Sequence, residues 1–86
     1  MLVPMNDQAR IHAWLLETTR LMVDHPEQVR VELISPTALR ITVSHSDIGK
    51  MIGRTGRTAR SIRTILGAIG MAHGSRYALD IVESGP

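Results

Sequence analysis

Apolar residues recur at intervals of three and four near the start of the chain, a spacing that predicts an amphipathic helix. Asn6 or Asp7 can cap its first turn with a side-chain oxygen. The pattern stops at Asp24-His25-Pro26. The apolar stripe of this helix is predicted to comprise Ile11, Trp14, Leu15, Thr18, Leu21 and Met22.

The next two segments alternate apolar and polar residues, which is typical of strands with one covered face. Ser35-Pro36-Thr37 separates them and predicts a tight turn, so the two strands are expected to pair antiparallel. One face is predicted to carry Val29, Val31 and Leu33 from the first strand and Leu39, Ile41 and Val43 from the second.

The second half of the chain predicts two helices and a strand. A short helix is expected from Asp47 to Ile52, and a longer one begins near Arg57 and ends at Gly70 or Gly74. Alternation over residues 76–82 predicts the third strand. The buried stripe of the longer helix is predicted to comprise Ala59, Ile62, Ile65, Leu66 and Ile69.

The order of these elements predicts the fold. Because two helices separate the second strand from the third, those strands are expected to run parallel through a right-handed crossover. The expected architecture is α+β, a three-stranded mixed sheet with three helices on one face, in the order α-β-β-α-α-β. At 86 residues the chain has room for one core. We predict one domain over residues 8–83, a disordered tail over 1–7 and a short tail over 84–86.

Charge is distributed unevenly along the chain. Residues 48–79 hold six basic residues and no acidic one, whereas the remainder holds four basic and eight acidic residues. The net charge of +2 therefore hides a basic half and an acidic half, and this division is typical of a polyanion-binding surface.

The basic half centres on Gly53-Arg54-Thr55-Gly56. Two glycines three positions apart allow the backbone to approach a ligand closely, and the N–H groups at the start of the following helix favour an anion. The segment therefore predicts a phosphate-binding turn. An alternative is that the arginines form the solvated face of an amphipathic helix after an ordinary helix-helix turn.

Other features narrow the function classes. The chain has no cysteine, which excludes disulfides and thiolate zinc sites and favours a cytoplasmic location. We expect neither a membrane span nor a signal peptide. The glycines match neither a Walker nor a dinucleotide-binding motif, and the four histidines lack ligand spacing. We therefore expect no catalytic residue, no metal site and no cofactor.

Residues Ile52 to Arg63 resemble the core signature of a KH domain, in which a GXXG loop joins two helices. The element order resembles the type II form. Asp24-His25-Pro26 and Asp47-Ile48-Gly49-Lys50 extend the similarity to the small bacterial single-KH proteins called KhpA, over residues 8–82.

The resemblance implies an RNA-binding protein, either a chaperone or a post-transcriptional regulator, whose loop clamps the backbone of about four nucleotides of single-stranded RNA. The residues that it marks for phosphate contact are Gly53, Arg54, Thr55, Gly56 and Arg57, with Lys50, Arg60, Arg63 and Thr58 as further candidates. Those expected to floor an apolar groove for bases, or to be plain core, are Ile48, Ile52 and Ile41.

Trp14 and Tyr77 are the two aromatic residues of the chain, and Trp14 falls on the predicted apolar stripe. Binding is therefore expected to rely on electrostatics, with modest affinity and weak sequence selectivity. The resemblance also implies partners: a second copy, or a second KH protein of the KhpB (Jag-like) type. A protein-interaction module whose partner binds the nucleic acid is the main alternative. Binding to duplex DNA or ribosomal RNA would need a longer basic surface.

Overall fold

The computed structural model describes residues 6–85. Its helices and strands are α1 (Asp7–Met22), β1 (Arg30–Ser35), β2 (Ala38–Val43), α2 (Ile48–Ile52), α3 (Arg57–His73) and β3 (Ala78–Glu83). Short 3-10 turns cover Pro26–Gln28, His45–Asp47 and Arg54–Gly56. The predicted element order is confirmed. The division into residues 1–7, 8–83 and 84–86 stays a prediction, and residues 1–5 and 86 lie outside the described residues.

The three strands form one mixed sheet with β2 at its centre. β1 pairs antiparallel with β2, and β3 pairs parallel with β2, as predicted from the two intervening helices. Pro36 and Thr37 connect β1 to β2, and the register shifts between Leu33 and Ser35 just before this turn. β2 therefore has a neighbour on both sides, which makes it the most constrained strand.

The core lies between one face of the sheet and the three helices. Ile41 and Val43 of β2 are fully buried, and Leu15 of α1, Met51 of α2 and Leu66 of α3 belong to the same cluster. β2 alternates buried and half-buried positions along its whole length, so one face of the strand packs against the helices. The predicted α+β architecture is confirmed.

Two predicted core positions of the helices are wrong. Leu21 is 88% exposed and Ile65 is 49% exposed. Successive helical residues are about 100° apart, so the buried face of α1 follows Ile11, Leu15 and Thr19 and leaves Leu21 on the flank. By the same geometry Ile65 lies about 100° from the buried Leu66.

Leu33 is also more exposed than its alternation predicts, at 42%. It lies next to the register shift at the end of β1, where the pleat no longer holds its side chain against the helices.

Gly74 rather than Gly70 ends α3, with a left-handed backbone at φ 67°. No helix within residues 6–85 is both long enough and apolar enough to cross a bilayer.

Thr19 is a buried polar residue whose hydroxyl is not hydrogen-bonded within residues 6–85. Its side chain is fully buried, and in that part of the chain its Oγ1 has no hydrogen-bond partner. Because valine has the same shape without the hydroxyl, we expect Thr19→Val to raise the free energy of unfolding by about 1 kcal/mol in urea denaturation. Thr18→Val at the half-buried neighbour is the control, with an expected change of about 0.5 kcal/mol or less. Destabilisation by Thr19→Val would contradict the prediction.

Candidate nucleic-acid interface

The turn between α2 and α3 has a positive φ at three of its four residues. Gly53 has φ 73° and ψ 174°, Thr55 has φ 56° and ψ 27°, and Gly56 has φ 76° and ψ 12°. The Gly53 N–H donates to the Gly49 carbonyl over 2.8 Å, and the Gly56 N–H donates to the Gly53 carbonyl over 3.2 Å. The turn is therefore a defined, hydrogen-bonded structure, with an unusual conformation for a non-glycine residue at Thr55.

The two glycines of the turn are needed for different reasons. A Cβ on Gly53 would lie 2.2 Å from Thr58 Oγ1 and 2.9 Å from the Thr58 backbone nitrogen, so the turn packs directly on the first turn of α3. A Cβ on Gly56 would meet no atom of residues 6–85 within 4 Å beyond its own chain neighbours. Gly56 is therefore required by its positive φ alone, and the space beside it is open.

The N-terminus of α3 is open to an anion. Its N-cap is Gly56, no side chain in the described part of the chain accepts a capping hydrogen bond there, and the first turn contains no acidic residue. The first N–H groups of a helix have no partner within the helix and lie at the positive end of its dipole. The GRTG turn and these donors occupy consecutive residues, so they face one region of the surface.

The five basic side chains of residues 50–63 fall into two groups. Arg54, Arg57 and Arg60 are not buried and, within residues 6–85, make no side-chain hydrogen bond or ion pair. Arg63 instead donates to the Leu79 carbonyl from Nε at 3.3 Å and from Nη2 at 3.1 Å, which ties α3 to β3. Lys50 forms an ion pair with Asp24.

The apolar candidates differ in how much surface they expose. Ile52, at the end of α2, is 47% exposed beside the turn, and Ile48 is half-buried against the core. Ile41 is fully buried in the centre of the sheet, so it has no surface to offer a base. Ile52 is therefore the candidate with the most apolar surface next to Gly53.

Asp47 has a role that the sequence analysis missed. Its place in the chain predicts a residue that favours the first turn of a helix, but its carboxylate is fully buried and accepts backbone hydrogen bonds from the segment after α1. The Asp24 N–H donates to Oδ1 at 3.1 Å, and the His25 N–H donates to Oδ2 at 3.0 Å. Asp47 thereby fixes the end of α1 to the start of α2. The partners are more than twenty residues apart in the chain, so no local pattern reveals them.

Asp24 in turn contacts α2 through its side chain. The Lys50 ammonium donates a hydrogen bond to the Asp24 carboxylate. This hydrogen bond, together with the positive charge of Lys50, holds the pKa of the Asp24 carboxyl below its usual range. Asp24 is therefore a charged carboxylate at neutral pH, close to a cation of the basic segment.

Three of the histidines lie within ion-pair distance of a carboxylate, and His25 Nδ1 is 3.6 Å from Glu27. His45 Nδ1 is 2.8 Å from Glu83, and His73 Nδ1 is 3.2 Å from Asp7. Within the described part of the chain, no three His, Cys, Asp or Glu side chains are grouped so that they could hold a metal ion.

A GXXG turn joins two helices that pack on a mixed three-stranded sheet, in the order α-β-β-α-α-β. This combination of fold and loop defines the class of protein as a KH domain of the type II topology. The family model described as "KhpA/KhpB, KH domain" matches residues 13–81, so the chain belongs to the KhpA/KhpB family of KH domains.

Relatives from distant bacteria support the same assignment. The RNA-binding protein KhpA of Borreliella burgdorferi is 43% identical over 65 residues, which cover 72% of this chain and 79% of the relative. KhpA of Bacillus subtilis is 42% identical over 65 residues, covering 72% and 80% of the two chains. KhpA of Aquifex aeolicus is 41% identical over 69 residues, covering 77% and 87%. No solved structure matched the chain.

Proposed function

We propose that this protein binds single-stranded RNA by gripping the sugar-phosphate backbone at the GRTG turn. Gly53 and Gly56 allow close approach, the uncapped N–H groups of α3 donate to a phosphate, and Arg54 and Arg57 neutralise its charge. The observation that carries the proposal is the turn of residues 53–56, with three positive φ angles, at an open helix N-terminus. Beside it lie three arginines without carboxylate partners in the described chain.

The family assignment supports this proposal, because the relatives are named RNA-binding proteins. Further candidates for the same surface are Arg60, which continues the exposed basic side of α3, and Ile52, which offers an apolar surface to a base. Lys50 is a candidate that must first leave Asp24. The proposed role is binding without catalysis, as a chaperone or post-transcriptional regulator.

The positions of the two aromatic residues predict that the protein discriminates only weakly between bases. Trp14 and Tyr77 are half-buried and pack against the core cluster, so neither provides an open stacking platform of the kind that single-strand binders use. Most of the affinity would then come from phosphate contacts. We expect binding to weaken steadily with salt, with a slope of about −0.7 in log K per log salt for each phosphate neutralised on a single strand.

The test of this proposal is the double variant Arg54→Asp/Thr55→Asp, assayed with a labelled pool of short single-stranded RNAs across a salt series. Both side chains are exposed, and the substitutions leave Gly53, Gly56 and the core unchanged. Because the change removes one positive charge and adds two negative charges where phosphate is expected, affinity should fall by at least about tenfold at low salt.

A matched control places the same substitutions at the other end of the molecule. Arg10 and Thr37 are both exposed. Arg10 lies one turn from Asp7, which contacts His73 at the end of α3 remote from the turn. Arg10→Asp/Thr37→Asp changes the net charge by the same amount, and we expect it to weaken binding by less than about threefold. Equal losses in the two double variants, or no RNA binding by the unmodified protein, would overturn the proposal.

We further propose that the working unit pairs two KH domains, either two copies of this chain or this chain with a KhpB (Jag-like) protein. The outer side of α3 exposes Ile65 at 49% and Met71 at 85%, with the small residues Gly67 and Ala68 between them. Small residues allow a second backbone to approach closely, and exposed apolar side chains favour its binding. Two linked sites would raise the effective affinity for RNA without new contacts at either turn.

Ala68→Arg tests this association, since arginine is a good helix former and Ala68 is exposed. We expect the dissociation constant for self-association, measured by analytical ultracentrifugation, to rise by at least about tenfold because a long charged side chain must be accommodated at the contact. Ala13→Arg on the exposed side of α1 is the matched control. A monomeric unmodified protein would refute the two-copy form, and equal behaviour of the two variants would refute the α3 contact.

A further inference from the structure

Lys50 differs from the other basic residues beside the turn. Among the five cations of residues 50–63, it is paired with a carboxylate within the described structure, whereas Arg54, Arg57 and Arg60 are not. Its partner, Asp24, lies outside the basic half of the sequence. The fold therefore brings one negative charge onto a surface whose own segment, residues 48–79, contains none.

The position of Asp24 is fixed by a buried anchor. Its backbone N–H donates to Oδ1 of Asp47, and the next N–H, that of His25, donates to Oδ2. Asp47 precedes α2 directly, and Lys50 lies within α2. Both ends of the Lys50–Asp24 contact are therefore attached to the same short helix, so the carboxylate is held beside the lysine.

The ion pair between Lys50 and Asp24 can readily be replaced by an ion pair between Lys50 and another anion. The Lys50 and Asp24 side chains are 46% and 69% exposed, and exposed ion pairs contribute little because water and salt screen them. A phosphate is an equally good acceptor for a lysine ammonium. The Asp24 carboxylate is ionised at neutral pH whether or not Lys50 contacts it, because the ordinary pKa of an exposed aspartate lies well below neutrality.

We propose that Asp24 is an internal competitor that occupies Lys50 until an RNA phosphate displaces it, and so limits the affinity of the site. This inference rests on the proposed RNA-binding function. In the RNA-free protein Arg54, Arg57 and Arg60 are available to bind a phosphate. Lys50 can bind one only after its ion pair with Asp24 has broken. The carboxylate that remains nearby then repels the bound strand, which favours its release.

The test is Asp24→Asn, which removes the charge and keeps the backbone N–H that Asp47 binds. We expect the dissociation constant for the RNA pool to fall by about threefold to tenfold at low salt and the gain to shrink as salt rises. Asp80→Asn is the matched control, because Asp80 also forms an exposed ion pair, at 3.2 Å from Arg40, on the sheet face away from the helices. It should change affinity by less than about twofold.

Lys50 must mediate the effect. In a Lys50→Gln background, Asp24→Asn should improve binding by no more than about twofold, because only the repulsion between the carboxylate and the strand is then left to remove. A spectroscopic measurement gives a second test. The pKa of the Asp24 carboxyl, followed by NMR titration, should be below its usual range in the free protein and rise when RNA saturates the site, since Lys50 leaves and a phosphate approaches.

The possible results separate this inference from the proposed function. Unchanged or weaker binding by Asp24→Asn, in a protein whose binding is lost in Arg54→Asp/Thr55→Asp, would overturn the competitor alone. An Asp24 pKa that stays low in the complex would also overturn it, because Lys50 would then remain on Asp24. Unmodified protein that binds no RNA, or binds it independently of the turn, would overturn both.

Discussion

Gly53→Ala is expected to lower the free energy of unfolding by about 3 kcal/mol, through backbone strain and a clash. The φ of 73° and ψ of 174° at Gly53 fall in a region that only glycine adopts readily. The added Cβ would also lie 2.9 Å from the Thr58 backbone nitrogen, which cannot move without displacing the start of α3. Urea denaturation measures the loss.

Alanine substitutions at two further glycines of the same segment distinguish the effect of backbone strain from that of a steric clash. Gly56→Ala places its Cβ within 4 Å of no other part of the described chain but keeps φ at 76°, so we expect the free energy of unfolding to fall by about 1 kcal/mol from strain alone. Gly49 lies within α2 with open space around it and no positive φ, so Gly49→Ala should be neutral or stabilising by up to about 1 kcal/mol. Equal effects at all three positions would mean that the turn has a different conformation in solution.

Periodicity in the sequence is sufficient to predict the order of the elements. The alternation at Leu39, Ile41 and Val43 predicts the central strand, and the two helices after it require a parallel third strand. These features depend on neighbouring residues in the chain. For the same reason the GXXG turn and the helix start at Arg57 can be located from local sequence patterns.

Local sequence patterns cannot show which basic side chains of the site already have partners in the folded protein. The local sequence does not show that Lys50 and Arg63 have partners whereas Arg54 has none in the described chain. In the structure Lys50 contacts Asp24, and Arg63 contacts the Leu79 carbonyl. These partners are 26 and 16 residues away, so only the packing of helices on the sheet shows which cations are occupied. The exposure of Ile65 has a similar origin, because the sheet covers a narrower stripe of α3 than its apolar pattern predicts.

Asp47→Ala is expected to lower the free energy of unfolding by about 3 kcal/mol, because it leaves the partly buried N–H groups of Asp24 and His25 without an acceptor. The carboxylate is fully buried, so its removal also leaves a cavity that water must fill. Urea denaturation measures the loss. In hydrogen exchange the amides of Asp24 and His25 should lose protection before those of the sheet do.

Asp47→Asn refines the interpretation, since its amide keeps one oxygen acceptor but turns an N–H₂ group toward the second N–H donor. An intermediate loss of about 2 kcal/mol is therefore expected, against about 0.5 kcal/mol or less for the exposed Asp80→Asn. If Asp47→Ala lowers the free energy of unfolding by no more than Asp80→Asn does, the Asp47 carboxylate does not hold the end of α1 to α2. The segment carrying Asp24 would then be free to leave Lys50 without any help from RNA.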